Sequence, residues 1–253
     1  MLLHLAQKTP SGGPRDALPT AEMEALNARF RHHSATDVMR HALRELEGIA
    51  LVSSFGAESV ALLHMAAVID RDVPVLFIDT EMLFTETLIY QADVGEKLGL
   101  RNISIIRAKD AHLRDPDGRL HKRDPDACCT LRKTEPLNRA LAPYRGWITG
   151  RKRFQSGKRA SLPFFEAEPG TGRIKINPLA HWRREDVAMY IAENRLPRHP
   201  LVAKGYPSIG CAPCTTPVKP GEDPRAGRWR DQNKDECGIH FVNGKMVRTG
   251  DRP

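Results

Sequence analysis

Short apolar runs alternate with longer helix-like segments through the middle of this 253-residue chain. Ile49 to Val52 is one apolar run, Val60 to Ile69 is apolar nearly all round and long enough for a buried helix, and Val73 to Ile78 is a second apolar run. Apolar runs of this length are typical of strands buried on both faces, and strands joined through helices form parallel sheets. The order of these segments therefore predicts an α/β fold with a doubly wound parallel sheet flanked by helices.

The same alternation continues as far as residue 194. The further predicted elements are helices over 84–98, 134–141 and 184–194, strands over 103–106, 147–149 and 174–176, and two helices within 21–47 that break near 32–35. Ligands of such sheets bind beyond the carboxyl ends of the strands. We therefore expect a ligand edge made of residues 53–56, 79–81, 107–110 and the segment from 150 onward.

The ends of the chain differ from its middle. Residues 1–20 show little apolar periodicity and are predicted to be a flexible N-terminal segment, 21–235 to form a single α/β domain, and 236–253 to form a C-terminal tail. The apolar stretch at 1–6 is too short for the h-region of a signal peptide, and no run is long enough to span a bilayer. We therefore expect a cytoplasmic protein whose thiols stay reduced.

The five cysteines are an adjacent pair, Cys128 and Cys129, a C-x-x-C formed by Cys211 and Cys214, and the single Cys237. Clustered cysteines in a reducing compartment bind metal or take part in catalysis more often than they form disulfides. A C-x-x-C places two sulfurs on a tight turn, and two further thiolates complete a tetrahedral set. A zinc site remains an alternative, although an adjacent cysteine pair fits the wider sulfur spacing of a cubane iron-sulfur cluster better than it fits the spacing of a zinc site. The alternative is that Cys128 and Cys129 are small core residues.

Cys237 has no cysteine left as a partner. The acids before it raise a thiol pKa while His240 lowers it, so its neighbours leave the thiolate fraction open. A position on a glycine-containing tail suggests a segment that closes over a site, and the alternative is a surface thiol with no task. His199 shows no ligand spacing and receives no role.

Lys and Arg outnumber Asp and Glu by 39 to 31, and this excess favours an anionic partner. Five basic residues fall within 151–159, just after a predicted strand, and Arg225 and Arg228 add two more at a helix-like spacing. A nucleic-acid patch, with Phe154 stacking on a base, and a solvated loop are the alternatives. The place of this run at the ligand edge favours a small phosphate or sulfate ester.

Ser53 to Ser59 lie between a predicted strand and a helix, where a phosphate loop is expected. The segment lacks the lysine of a triphosphate-binding loop, so ATP hydrolysis is not indicated.

Several motifs, in this order between Gly48 and His240, closely resemble the adenylyl-sulfate reductases of assimilatory sulfate reduction. They are SSFGAES, LFIDTE, CCTLRKTEPL, WITGRKRFQSGKRA, IGCAPC, RAGRW and ECGIH. The wider family includes the phosphoadenylyl-sulfate reductases, which typically keep the cysteine of ECGIH and lack the other four. The resemblance implies a Rossmann-like sheet of the adenine-nucleotide alpha-hydrolase type with a catalytic C-terminal tail, and the four additional cysteines point to adenylyl sulfate as the substrate.

The resemblance also implies roles for individual residues. It assigns a [4Fe-4S] cluster to Cys128, Cys129, Cys211 and Cys214, and the nucleophile to Cys237. Substrate binding is implied for Ser54, Phe55, Gly56, Lys133, Arg159, Arg225, Arg228 and His240.

The implied reaction reduces adenylyl sulfate to sulfite and AMP through an S-sulfocysteine on Cys237, for cysteine biosynthesis. Thioredoxin or a similar dithiol supplies the electrons. No nucleic-acid or membrane partner is implied, and a homo-oligomer stays open.

Two other functions compete with this one. A tRNA-thiolating enzyme of the ATP pyrophosphatase type also suits a basic, cluster-binding chain, but such enzymes carry S-G-G-x-D-S where this chain has Ser53 to Ser59. An iron-sulfur sensor that binds nucleic acid is the non-enzymatic alternative, and it would not need Cys237.

Overall fold

A single six-stranded sheet forms the centre of the computed structural model, which describes residues 20–155 and 159–230. The strands are β1 (Ile49–Ser53), β2 (Val75–Ile78), β3 (Ile103–Ile106), β4 (Gly146–Ile148), β5 (Phe165–Ala167) and β6 (Ile174–Ile176). Their order in the sheet is β3-β2-β1-β4-β6-β5, and every neighbouring pair is parallel except β5 with β6. The predicted α/β class and parallel sheet are confirmed, with one antiparallel strand at the edge.

The helices precede, connect or follow these strands. They are α1 (Thr20–Phe30), α2 (Ala35–Arg44), α3 (Ser59–Ile69), α4 (Thr85–Leu98), α5 (Ala111–Arg114), α6 (Leu120–Arg123), α7 (Pro125–Cys129), α8 (Glu135–Leu141) and α9 (Arg184–Glu193). The break between α1 and α2 lies where the sequence predicts it, because Ser34 caps α2 with a capping box to Asp37. The prediction omitted β5 and the short helices α5, α6 and α7.

The two faces of the sheet bury different side chains. On one face, Leu51 and Phe77 pack with residues of α2, α3, α4 and α9. On the other face, Ala50 and Leu76 pack with Leu137 of α8. Because successive strand residues point to opposite faces, each apolar strand contributes to both cores. This double coverage is the physical basis of the doubly wound arrangement.

A nearly continuous helical segment runs from Pro125 to Leu141 and includes a π-helical turn at Thr130–Thr134 between α7 and α8. The Asp124 side chain caps its start by accepting hydrogen bonds from the amides of Asp126 and Ala127, and Pro125 occupies the first turn. The π turn lies directly after Cys129 and contains Lys133, and π turns of this kind are frequent at functional sites. The sequence predicted only the second half of this segment.

The predicted flexible segment 1–20 lies outside the described residues except for Thr20, where α1 begins, and the tail 236–253 also lies outside them. Within residues 20–155 and 159–230, none of the helices has the length and apolar character needed to cross a bilayer.

Candidate active site

A cleft of about 270 Å³ opens at the carboxyl ends of β1, β2 and β4, at the edge where the sequence predicts a ligand. Its walls combine the loop after β1, the loop after β4 and the segment 207–211. The basic side chains that line it are Lys133, Arg151, Lys152, Arg159, Arg225 and Arg228. Glu58 is the one carboxylate among its described lining residues. The cleft therefore suits a ligand with more than one negative charge.

The loop after β1 presents small polar groups to the cleft and anchors itself with Phe55. Ser54, Gly56 and Ser59 line the cleft beside the start of α3. Phe55 is fully buried, its ring lies 5.2 Å from that of Phe77, and its amide donates to Ser53 Oγ at 3.1 Å. The φ of Phe55 is +48°, a left-handed value that costs a non-glycine residue about 1 kcal/mol. The side chain of Phe55 thus shapes the loop and does not reach the cleft.

Arg225 and Arg228 also line the cleft, and they belong to the segment after the C-x-x-C. Their spacing resembles that of a helix, but Arg225 lies on a turn and Arg228 forms an isolated β-bridge with Thr215, and the Arg228 amide donates to the Arg225 carbonyl at 2.8 Å. This segment returns to the C-x-x-C, where the Thr216 amide donates to the Gly227 carbonyl at 2.8 Å. The Arg228 guanidinium donates to the Ile209 carbonyl at 3.2 Å and lies over the ring of Trp229.

The basic side chains after β4 do not all face the cleft. Arg151, Lys152 and Arg159 line the cleft. Arg153 instead donates to the Leu162 carbonyl at 2.9 Å, and Phe154 packs against the Arg184 guanidinium. Residues 107–110, also expected at the ligand edge, are absent from the described lining, and Arg107 pairs with Asp79 at 2.8 Å.

The four cysteines of the pair and of the C-x-x-C line one narrow cavity. All four are free thiols, and Cys128, Cys129 and Cys211 are buried. Burial, reinforced by the neighbouring cysteines, raises the pKa of Cys128 to about 12, and burial also raises the pKa of Cys214. Thiols in this environment stay protonated unless a cation or metal stabilises the thiolate.

Two buried polar residues that sequence reasoning missed stand beside this cavity. Thr80 places its hydroxyl 3.2 Å from Cys211 Sγ. Arg132, 6% exposed, donates to the Thr80 carbonyl at 3.1 Å and to Asp115 at 3.1 Å. Its Nε is buried and has no hydrogen-bond partner among the described residues. A lone arginine beside the cysteine pair carries no distinguishing signal in the sequence.

The cysteine cavity and the cleft adjoin each other. Lys133, Thr80 and Cys211 line both. Lys133 is buried and belongs to the π turn, and because it lines both cavities it connects the thiols with the cleft. Within the described ranges, no three His, Cys, Asp or Glu side chains are placed to hold a single metal ion. Cys237 and His240 lie outside the described residues, so their positions relative to the cleft stay predictions.

A family model for the phosphoadenosine phosphosulfate reductase domain matches residues 48–217, which span β1 to the C-x-x-C. The chain belongs to this family. It is 51% identical over 233 residues to the adenosine 5'-phosphosulfate reductase of Mesorhizobium japonicum, covering 90% of this chain and 91% of that one.

Solved structures support the same family assignment. The phosphoadenylyl-sulfate reductase of Candida auris, in a phosphate complex, superposes with a TM-score of 0.71 at 28% identity and covers 82% of this chain and 100% of that one. The FMN adenylyltransferase of Candida glabrata, at 14% identity and a TM-score of 0.52 over 80% of this chain and 69% of that one, shares the fold alone. The expected family and its adenine-nucleotide alpha-hydrolase-like sheet are confirmed.

Proposed function

We propose that this protein reduces adenylyl sulfate to sulfite and AMP, with Cys237 as the nucleophile. The observation that carries the proposal is the junction of a cation-lined cleft with a four-cysteine cavity, joined through Lys133. A nucleoside phosphosulfate has two adjacent anionic groups, and the cleft offers several cations with little acidic competition. Membership in the reductase family and the name of the Mesorhizobium relative support the same assignment.

In the proposed first step, the Cys237 thiolate attacks the sulfate sulfur of the substrate. An S–S bond forms, the S–O bond to the phosphate breaks, and AMP leaves with that bond's electron pair. A dithiol such as thioredoxin then attacks the Cys237 sulfur and expels sulfite. Its second thiol resolves the mixed disulfide, so the dithiol supplies both electrons and Cys237 returns to its thiol form.

The cleft residues favour this attack electrostatically. Lys133, Arg159, Arg225 and Arg228 neutralise phosphate and sulfate oxygens, which lowers the repulsion that an incoming thiolate meets. Ser54 and Gly56 lie in the loop that leads into α3, and the N-terminus of that helix favours a phosphoryl group. We assign His240 to the same site, beside the nucleophile.

The cysteine cavity suits an iron-sulfur cluster. Four free thiols surround it, and the buried Arg132 has an unsatisfied donor beside it. We propose that Cys128, Cys129, Cys211 and Cys214 hold a [4Fe-4S] cluster, because a cubane takes its thiolates further apart than a zinc ion does. When bound, the cluster would order these ligands and shape the electrostatic potential at Lys133. A reducing compartment such as the cytoplasm would keep all five thiols available.

The proposal is tested by intact-protein mass spectrometry of anaerobically purified protein mixed with adenylyl sulfate and no reductant, with phosphoadenylyl sulfate in parallel. We expect an added SO₃ group that maps to Cys237, is removed by thioredoxin with release of sulfite, and forms preferentially from adenylyl sulfate. Cys237→Ser is the matched control and should remain unmodified. Absence of an adduct on cluster-loaded protein would contradict the proposal and favour the tRNA-thiolation alternative.

A further inference from the structure

Lys152 is a buried lysine in the wall of the cleft. Its exposed fraction is 2%, and it follows β4 at the carboxyl edge of the sheet. Lysine is seldom buried this completely unless a partner compensates its charge. No motif in the sequence distinguishes it from the other basic residues in 151–159, because its partner is 94 positions away.

Lys152 uses two of its three N–H groups within the protein. Its ammonium donates to Glu58 Oε2 at 2.8 Å and to the Gly150 carbonyl at 3.1 Å. An ammonium carries three donors, and the described residues supply acceptors for two. A buried charged donor without an acceptor is costly, so a third acceptor from a bound ligand would satisfy it.

The charges around Lys152 also favour the binding of an anion in the cleft. Burial lowers the pKa of Lys152, Glu58 raises it, and the cations Arg159 and Arg225 lower it. The pKa of Lys152 is lowered overall, and Glu58, which belongs to the loop after β1, is the group that opposes this lowering. An anionic ligand in the cleft would add a second compensating charge.

We propose that Lys152 is a further substrate-binding residue, which donates its third N–H to the phosphoryl group shared by adenylyl sulfate and AMP. Glu58 fixes the ammonium next to the loop of Ser54 and Gly56, at the start of α3, whereas Lys133 stands at the cysteine side of the cleft. The phosphoryl group is thus assigned to the Lys152 side and the sulfate to the Lys133 side. This inference rests on the proposed function for its choice of ligand.

The test is calorimetric titration of the cluster-loaded protein with AMP, which binds without any thiol chemistry. Lys152→Met should bind AMP about 10 to 100 times more weakly, because a charge-assisted hydrogen bond is lost. Lys97→Met is the matched control, since Lys97 is exposed in the last turn of α4 and does not line the cleft. Its AMP affinity should equal that of the wild type.

Lys152→Met has two effects: it removes a hydrogen-bond donor from the cleft, and it leaves the Glu58 carboxylate without its partner. Replacing Glu58 as well removes the second effect, so that the first can be measured. The double variant Lys152→Met with Glu58→Gln leaves neither charge of this pair without its partner. It can therefore still test whether Lys152 binds AMP if the single variant Lys152→Met does not fold. We expect it to bind AMP at least about tenfold more weakly than Glu58→Gln alone. Equal AMP affinity in these two variants would overturn the assignment of Lys152.

Parallel assays of sulfite formation separate this inference from the proposed function. Sulfite formation by the wild type, together with unchanged AMP affinity in Lys152→Met, would overturn the role of Lys152 and leave the function standing. A wild type that makes no sulfite but binds AMP through Lys152 would overturn the function and support the role. A wild type that does not bind AMP would overturn the role of Lys152 as well.

Discussion

At the scale of single residues, two glycines on either side of the C-x-x-C, Gly210 before it and Gly227 after it, differ in what their replacement would disturb. A Cβ on Gly210 would lie 2.3 Å from Nη2 of Arg228, the end of a flexible side chain. A Cβ on Gly227 would lie 2.1 Å from the main-chain oxygen of Thr216. A side chain can move away at little cost, whereas a paired main chain cannot. Replacing Gly210 should therefore alter the position of Arg228 in the cleft, whereas replacing Gly227 should lower the stability of the fold.

We therefore predict that Gly210→Ala lowers the rate of sulfite formation and weakens AMP binding, each by about tenfold through loss of one charged contact. Its free energy of unfolding should stay within about 1 kcal/mol of the wild type. Gly227→Ala should lower the free energy of unfolding by about 1–3 kcal/mol. AMP titration and urea unfolding of both variants measure these effects. Unchanged AMP affinity together with an unchanged rate of sulfite formation in Gly210→Ala would argue against Arg228 as a ligand of the phosphosulfate.

At the scale of elements, His199 fixes the start of the 3₁₀ turn Pro200–Lys204, which packs against α4. Its Nδ1 accepts the Leu201 amide at 3.2 Å, so Nε2 carries the proton that is donated to Thr87 Oγ1 at 3.0 Å. The ring also lies 4.7 Å from that of Tyr90. Both ring nitrogens are thus used by the neutral form. The sequence assigned no role to His199 because two of these partners, Thr87 and Tyr90, come from the distant helix α4.

This arrangement predicts a loss of stability in acid. Burial lowers the pKa of His199 to about 4, and the pKa of an unfolded histidine is 6.5. Because the unfolded chain binds the proton first, stability falls as the pH drops from 6.5 toward 4, by about 2 kcal/mol between pH 7 and pH 5. His199→Asn keeps an acceptor for the Leu201 amide but does not titrate. Urea unfolding at both pH values should show a smaller loss for the variant than for the wild type, and equal losses would contradict the neutral assignment.

At the scale of the whole molecule, the proposed cluster would join parts of the chain that are far apart in sequence. Cys128 and Cys129 lie at the end of α7, and the C-x-x-C lies in the loop that carries Arg225 and Arg228 into the cleft. A group that binds only the folded arrangement of these cysteines stabilises that arrangement. Cluster loss should therefore loosen the cleft as well as the cysteine cavity.

Two cysteine variants distinguish the cluster from the nucleophile. Cys128→Ser should lose most of its bound iron and sulfide, unfold at a lower temperature, and form sulfite at least about tenfold more slowly. Cys237→Ser should keep the wild-type iron content and unfolding temperature but form no sulfite. Iron and sulfide assays, thermal unfolding and sulfite assays make up the comparison. Wild-type iron content in Cys128→Ser would exclude Cys128 as a ligand.

The sequence by itself predicted most of the sheet. The runs at β1 and β2 are apolar and have a helix between them, and this local pattern is what a parallel strand buried on both faces requires. Strand β5 was missed because its three residues, Phe-Glu-Ala, are too few to show a period and pair only at an edge. Helix α7 was missed because a five-residue helix with proline at its start has no apolar stripe.

The sequence alone also grouped the cysteines into two sets and indicated the family, since both depend on residue identity and order along the chain. Only the tertiary structure decided which members of a motif face the cleft. It directed Phe55 into the core, turned Arg153 away from the cleft, and paired Lys152 with Glu58. Side-chain direction and burial depend on contacts between residues far apart in sequence, and these exist only once the sheet has brought the strand ends together.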